Sequence, residues 1–225
     1  MSLDVLLVGS GGREHALAWK LSQSPRLGTL YVAPGNGGTR EVAENVPIAA
    51  TEIGKLAQFA ESKRIDLTVV GPDDPLAMGI VDTFQARGLR IFGPSRAAAE
   101  IEWSKTFAKN LMREAGIPTA GFRSFRKHAD ALAHVRKRRT PLVVKANGLA
   151  LGKGVYVCRT QKEAEHALAL VMKERVYGAA GDEVVVEDFL AGEEISLHAI
   201  VDGATPILFP AAQDHKTVRD GDEGP

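Results

Sequence analysis

Two lysines, Lys145 and Lys153, stand in one glycine-rich run, KANGLALGKGV. Cations beside bare backbone N–H groups are suited to binding phosphate. The P-loop motif is the first candidate, and it fails twice. Gly148 and Gly152 leave only three residues between them, and Gly154 replaces the Mg2+-binding hydroxyl. The run also continues into VYVC, a strand pattern, where a P-loop enters a helix. What remains is a strand–turn–strand hairpin. It is either an ordinary tight turn or a flap that folds over phosphates, with Lys145 at a strand end and Lys153 in the turn.

Three further stretches carry residues of chemical interest. In VVVEDFLAGEEIS, Val184–Ser196, an apolar strand runs into Glu187, Asp188, Phe189 and Leu190, then a Gly192 turn and Glu193-Glu194. Strand-end backbone groups can pair with an adenine edge, an apolar side chain can cover its face, and a later carboxylate can take ribose hydroxyls. Simple solvation of an acidic turn is the alternative. VGSGGREHA, Val8–Ala16, ends a strand in glycines and opens a helix, which exposes N–H groups at the helix's positive end. Glu14 occupies the position of the third glycine of the dinucleotide fingerprint, and the second strand ends Ala33-Pro34-Gly35-Asn36 with no acid. A nicotinamide cofactor is therefore disfavoured. The cluster is either a structural turn or the seat of a phosphate-bearing ligand within reach of Arg13 and His15. VVGPDDPLAMG, Val69–Gly79, follows another strand; Asp73 and Asp74 can accept from ribose hydroxyls or an amine, or Asp74 can cap a helix.

These loops need elements to hold them. Residues 1–95 alternate strands (Val5–Val8, Leu30–Ala33, Leu67–Val70, Arg90–Phe92) with helices (Arg13–Ser24, Ile53–Ser62, Met78–Ala86). In the first helix Ala16, Leu17 and Leu21 share a face. The alternation predicts right-handed βαβ units and a parallel sheet. The link from Pro34 to Ala50 has room for a loop or an extra short strand. Residues 96–116 predict two helices, stopped by Gly116-Ile117-Pro118. The texture then becomes a small α+β unit: strands Phe122–Phe125, Leu142–Lys145, Val155–Cys158 and Glu183–Phe189, with helices Ala129–Lys137 and Gln161–Lys173. Glu194–Val201 and Pro206–Pro210 predict a hairpin around Asp202-Gly203.

Composition removes several function classes. The 225 residues are 44% hydrophobic and 25% charged, outside the disordered regime. Twenty-eight basic residues balance 28 acidic ones, so no global field favours nucleic acid or an anionic membrane. Cys158 is alone, which excludes an intrachain disulfide or cysteine-based zinc site and suits a reducing cytosol. No apolar run reaches the ~18 residues of a membrane span. MSLDVLLVGSGG lacks a basic leader and reads as a first strand. The polar ending DGDEGP has no closing element after it, which leads us to expect a truncated protein.

Lys105, KANGLALGKGV, VEDFLAGEE and QDHK together resemble the ATP-grasp ligases. More closely, VGSGGREHALAWKLSQSP, APGNGGT, VGPDDPLAMGIVDTF, IFGPS and QDHKTVRDGDEGP are similar to the phosphoribosylamine–glycine ligase (glycinamide ribonucleotide synthetase) family, in colinear order over nearly the whole chain. The resemblance implies an α/β architecture: a Rossmann-like, parallel-sheet pre-ATP-grasp domain over 1–121, an α+β ATP-grasp lid over 122–192, and the beginning of the central ATP-grasp domain over 193–225. It implies ATP-dependent ligation of glycine to 5-phosphoribosylamine through glycyl phosphate, in cytoplasmic purine biosynthesis. Small molecules are the implied partners, with no nucleic acid and no membrane. A non-catalytic nucleotide-binding or scaffold module is the alternative.

Residue by residue, the resemblance puts Lys105 and Lys145 on the α- and β-phosphates, with Gly152, Lys153 and Gly154 closing over them. Glu187, Phe189 and Leu190 hold adenine, and Glu194 the ribose. Gly11, Gly12, Arg13, Asn36 and Asp73 face the phosphoribosylamine. Asp214, His215 and Lys216 approach the reacting phosphate or glycine, so that Lys153, His215 and Lys216 are the catalytic candidates. The family usually has aspartate at Asn147, glycine at Trp103, glutamate at Asp73 and arginine at Thr217. Its ligands for Mg2+ or Mn2+ follow the point where this sequence stops, so no metal ligand is expected within it, and the 225 residues alone are not expected to complete catalysis.

Overall fold

The computed structural model describes residues 2–150, 154–214 and 218–219. The chain forms two compact units, Met1–Asp188 and Phe189–Pro225.

The first unit opens with β1 (Leu3–Gly9), α1 (Gly12–Ser22), β2 (Leu27–Pro34), β3 (Glu44–Asn45), α2 (Ile53–Lys63), β4 (Leu67–Val70), α3 (Asp73–Ala77), α4 (Ile80–Ala86) and β5 (Ile91–Phe92). The strands are all parallel, in the order β3-β2-β1-β4-β5. From Val5 to Val8 β1 is continuously apolar because both of its faces are covered there. Leu6 and Val8 join a core with Leu56, Ala60, Ile80, Val81 and Phe84, while Val5 and Leu7 pack on the other face with Val32 and Ala18. The chain steps outward from β1 to β3, then returns to place β4 on β1's free side. The sheet therefore reverses direction between β1 and β4, and a crevice opens beyond their C-terminal ends.

Three local expectations change. The helix expected at Met78–Ala86 begins later, as α4 at Ile80, because its N-cap Gly79 has a φ of 86° in the left-handed region, and the turn before it carries a further short helix, α3. Asp74 lies inside the first turn of α3, after Pro72 at the N-cap, so it does not cap. On α1 the buried residues are Glu14 and Ala18, while Leu17 stays 36% exposed. Glu14 is drawn inward because its Oε2 accepts from the Gly11 N–H at 2.7 Å, which turns the helix face away from the one apolar periodicity marks. The link after β2 does contain the short strand β3, preceded by a 3-10 turn at Thr39–Glu41.

Next come α5 (Arg96–Trp103) and α6 (Lys105–Glu114). Ser104 ends the first and caps the second, its Oγ accepting from the Phe107 N–H, so Lys105 is the first residue of α6. The rest of the unit is β6 (Phe122–Phe125), α7 (His128–Val135), β7 (Leu142–Ala146), β8 (Val155–Cys158), α8 (Gln161–Met172) and β9 (Val184–Asp188). Its strands form an antiparallel sheet in the order β6-β9-β7-β8. Leu142, Val144 and Ala146 of β7 and Val184 and Val186 of β9 bury one face against α7 and α8. A Thr160/Glu163 capping box starts α8.

In the second unit, β10 (Ala199–Val201) and β11 (Pro206–Leu208) form an antiparallel hairpin. The Asp202 carboxylate accepts from the Ala204 and Thr205 N–H groups and shapes the turn. Among the described residues no helix is long and apolar enough to cross a membrane.

Candidate active site

The crevice between β1 and β4 is lined by the glycine turn after β1 and the proline turn after β4. A cleft of about 530 Å³ there is bordered by Gly11, Gly12, Arg13, Asp73, Lys105 and Gly148, among others. Arg13 is braced across the mouth: its guanidinium donates to the Gly71 carbonyl at 2.9 Å and lies 3.9 Å from the Asp73 carboxylate. Glu14 fills the space where the two strand ends meet. A Cβ on Gly9 or Gly71 would collide with its side chain, which explains both glycines. The Glu14 carboxylate already occupies the Gly11 N–H. That donor is unavailable to a pyrophosphate, in line with the poor match to a dinucleotide fingerprint.

Asn36 lies behind this turn. Its Oδ1 accepts from the Gly38 and Thr39 N–H groups, and its Nδ2 donates to the Ser10 carbonyl at 2.9 Å, with Gly11 O at 3.4 Å. The side chain thus ties the loop after β2 to the glycine turn after β1. His15 packs on Gly38, where any Cβ would strike the imidazole.

Lys105, at the start of α6, donates to the Gly148 carbonyl at 3.0 Å, so this lysine and the glycine-rich run share the cleft with Arg13. Burial lowers the Lys105 pKa, the charge of Lys145 lowers it further, and Glu102 and Glu187 oppose the shift. Lys145 and Glu187 reach each other through sheet register. Lys145 pairs with Val185, so Glu187, two residues on, is its diagonal neighbour on the face opposite the core. Their charged atoms are 2.9 Å apart. The same Glu187 oxygen is 3.1 Å from Lys109 Nζ. Glu187 is 5% exposed, which makes it a buried carboxylate between two ammonium groups. Lys109 was not among the sequence candidates. The signal for it was its position one helical turn after Lys105, where both side chains leave the same face.

Asn147 bridges α6 to Glu183, the residue just before β9. Its Oδ1 accepts from the Thr106 N–H at 3.0 Å, and its Nδ2 donates to Glu183 Oε2 at 3.1 Å. The two partners fix the orientation of the amide, since an N–H needs an acceptor and a carboxylate a donor. Asn147→Asp would set two carboxylates against each other. Urea unfolding at neutral pH is expected to show a loss of about 1–3 kcal/mol, most of it recovered when Glu183→Gln is added. Equal stability of Asn147→Asp and the parent would contradict this role.

At the hairpin, a Cβ on Gly154 would press on Ala150 and Ala146 at 2.8 and 2.9 Å, so a side chain there would force the turn open. Gly152, Lys153, His215, Lys216 and Thr217 lie outside the described residues. In the second unit Phe189 is 41% and Leu190 70% exposed, and Glu194 and Asp214 are exposed as well. Trp103 Nε1, in the first unit, is buried without a hydrogen-bond partner among the described residues.

A parallel sheet with its crevice at the strand reversal, followed by an antiparallel sheet carrying a lysine, a buried carboxylate and a glycine-rich hairpin, defines a chain of the ATP-grasp class. Two family models match it end to end: "Phosphoribosylglycinamide synthetase, N domain" over residues 3–102 and "Phosphoribosylglycinamide synthetase, ATP-grasp (A) domain" over residues 103–225. The chain belongs to the phosphoribosylglycinamide synthetase family. It is 52% identical to the phosphoribosylamine–glycine ligase of Ralstonia nicotianae over 225 residues, 99% of this chain and 53% of the relative. A crystal structure of phosphoribosylamine–glycine ligase from Thermotoga maritima matches with a TM-score of 0.81 at 32% identity, over 99% of this chain and 53% of that one. An N5-carboxyaminoimidazole ribonucleotide synthetase solved as an ADP complex shares the fold, with a TM-score of 0.70 at 19% identity, over 99% of this chain and 56% of that one. The chain spans about half the length of the curated relatives it matches.

Proposed function

We propose that the intact protein ligates glycine to 5-phosphoribosylamine with ATP, giving glycinamide ribonucleotide, ADP and phosphate. A glycine carboxylate oxygen attacks the γ-phosphorus and ADP leaves. The amine then attacks the acyl carbon, phosphate departs, and the amine loses a proton. A carboxylate is a poor electrophile, and the phosphoryl group supplies the leaving group that it lacks. Such a transfer depends on cations placed around the phosphates more than on an acid–base pair. The observation that carries this proposal is that Lys105 borders the same cleft as Arg13 and Asp73. A partly buried lysine suited to phosphate and the crevice of the parallel sheet therefore share one cavity.

In this scheme Lys105 and Lys145 take the α- and β-phosphates, and Gly152, Lys153 and Gly154 close over them, excluding water from the acyl phosphate. The strand end from Glu187 to Leu190 takes adenine, and Glu194 takes the ribose. Gly11, Gly12, Arg13 and Asp73 take the phosphoribosylamine, with Asn36 holding their turn in shape. Asp214, His215 and Lys216 approach the reacting groups. Mg2+ or Mn2+ accompanies the nucleotide. Among the described residues no group of three or more side chains of ligand type could hold it, and no role here is routed through it. A cytoplasmic setting suits the lone thiol Cys158, whose pKa burial pushes up to about 11.

The test is ADP release by the intact protein, with glycinamide ribonucleotide followed by mass spectrometry. Turnover is expected only when glycine and 5-phosphoribosylamine are both present. Glycine-independent turnover, or nucleotide binding without turnover, would overturn the ligase in favour of a binding module.

Lys105 adds a pH dependence. Phosphate favours the charged amine, whereas burial has lowered its pKa from 10.5. Nucleotide affinity is therefore expected to fall as pH rises through that lowered pKa, before ordinary lysines titrate. Free-protein stability moves the other way: across the same window the unfolded chain binds more protons, so stability rises with pH. Titration calorimetry from neutral to alkaline pH checks the first, and Lys105→Met should remove that limb of the profile.

A further inference from the structure

Lys109 has no part in the chemistry described above, yet it is one of the most enclosed cations of the first unit. Its side chain is 11% exposed. Three acceptors surround Nζ: Thr119 Oγ1 at 2.7 Å, Glu187 Oε2 at 3.1 Å and Ala120 O at 3.4 Å. An ammonium has three protons, so these neighbours match its capacity and leave no donor for a ligand. The Phe122 ring, with its centroid 5.6 Å from Nζ, covers another side. Glu187 is less balanced. Its Oε2 faces both lysines, whereas Oε1 is buried with no hydrogen-bond partner among the described residues. A buried carboxylate oxygen without a donor is costly, and it calls for a donor from a ligand.

We propose that Lys109 is a positioning residue that fixes the Glu187 carboxylate so that Oε1 receives the exocyclic amine of adenine, and that it thereby sets the preference of the site for a 6-amino over a 6-oxo purine. The inference rests on the nucleotide site proposed above. When Lys145 turns toward phosphate, Lys109 stays behind. It keeps the buried charge neutralised and the carboxylate aimed, anchored in turn by Thr119 and Ala120. A 6-oxo purine presents a carbonyl oxygen at the same place, and two acceptors then face each other without a proton between them.

Binding of ATP and of inosine triphosphate is compared on the intact protein by titration calorimetry. The parent is expected to favour ATP. Lys109→Met should shrink the ATP-to-ITP affinity ratio by roughly tenfold, and Lys109→Arg should restore most of it. Thr119→Val removes one anchor without touching a charge, and should lower the ratio by roughly two- to fivefold even if Lys109→Met fails to fold. A role confined to stability would weaken both nucleotides equally, so an unchanged ratio in Lys109→Met or Thr119→Val overturns the proposal. A parent protein that binds neither nucleotide overturns the nucleotide site itself, and this inference with it.

Discussion

Glu187→Ala is expected to destabilise the first unit by about 3–5 kcal/mol, the cost of removing one partner from a buried ion pair. Glu187 is 5% exposed, and its Oε2 stands 2.9 Å from Lys145 and 3.1 Å from Lys109. Deleting the carboxylate leaves two ammonium groups, with side chains 11% and 26% exposed, close together without the charge that neutralised them. Glu187→Gln keeps the shape but not the charge, and should fall between Ala and the parent. Adding Lys145→Met to Glu187→Ala should cost less than the sum of the single changes, because the second change removes a charge that the first had stranded. Trp19 and Trp103 both lie in this unit, so urea unfolding followed by tryptophan fluorescence reports on it. A loss below about 1 kcal/mol would mean that the carboxylate does not hold the two lysines together.

Lys145→Met is expected to weaken ATP binding by ~1.5–3 kcal/mol, or roughly 10- to 150-fold, if the amine makes a charge-assisted hydrogen bond to phosphate. Methionine keeps most of the stem's packing, so the loss isolates the charge. Among the described residues Lys145 Nζ is ion-paired with Glu187 alone, whereas Lys109 has three acceptors around it. This leaves Lys145 free to exchange its carboxylate for a phosphate, with Lys109 remaining to balance Glu187. Calorimetric titration of ATP into the parent and the variant checks it, and equal affinities would refute a phosphate contact at Lys145.

Much of this architecture is legible in the sequence because it is local. The alternation of β-branched strands with helical spacing gives the parallel sheet. The continuation of the glycine-rich run into VYVC gives the hairpin, and Glu14 at a fingerprint glycine position argues against a dinucleotide. Features that depend on partners distant in sequence are not legible. The inward turn of Glu14 on α1 depends on its bond to the Gly11 N–H and on the space left at Gly71, so apolar spacing alone puts Leu17 on the wrong face. The division of α3 from α4 depends on the left-handed backbone at Gly79, where a lone glycine inside a helical pattern is ambiguous. Asn147 shows the same limit: sequence gives its hydrogen-bonding capacity, but only the fold sets a carboxylate at its Nδ2. The ion-paired role of Glu187 and the enclosure of Lys109 emerge only when α6 lies against β9.

Oxygen-18 transfer tests the proposed chemistry most directly. Glycine labelled in both carboxylate oxygens is given to the intact protein with ATP and 5-phosphoribosylamine, and the inorganic phosphate is examined by mass spectrometry. An acyl phosphate carries one glycine oxygen to phosphorus, so one labelled oxygen is expected in each phosphate released per amide formed. Unlabelled phosphate alongside ADP release would show that ATP is hydrolysed by water and would contradict glycine activation, whereas label in AMP would place the attack at the α-phosphorus and contradict the proposed γ-phosphoryl transfer.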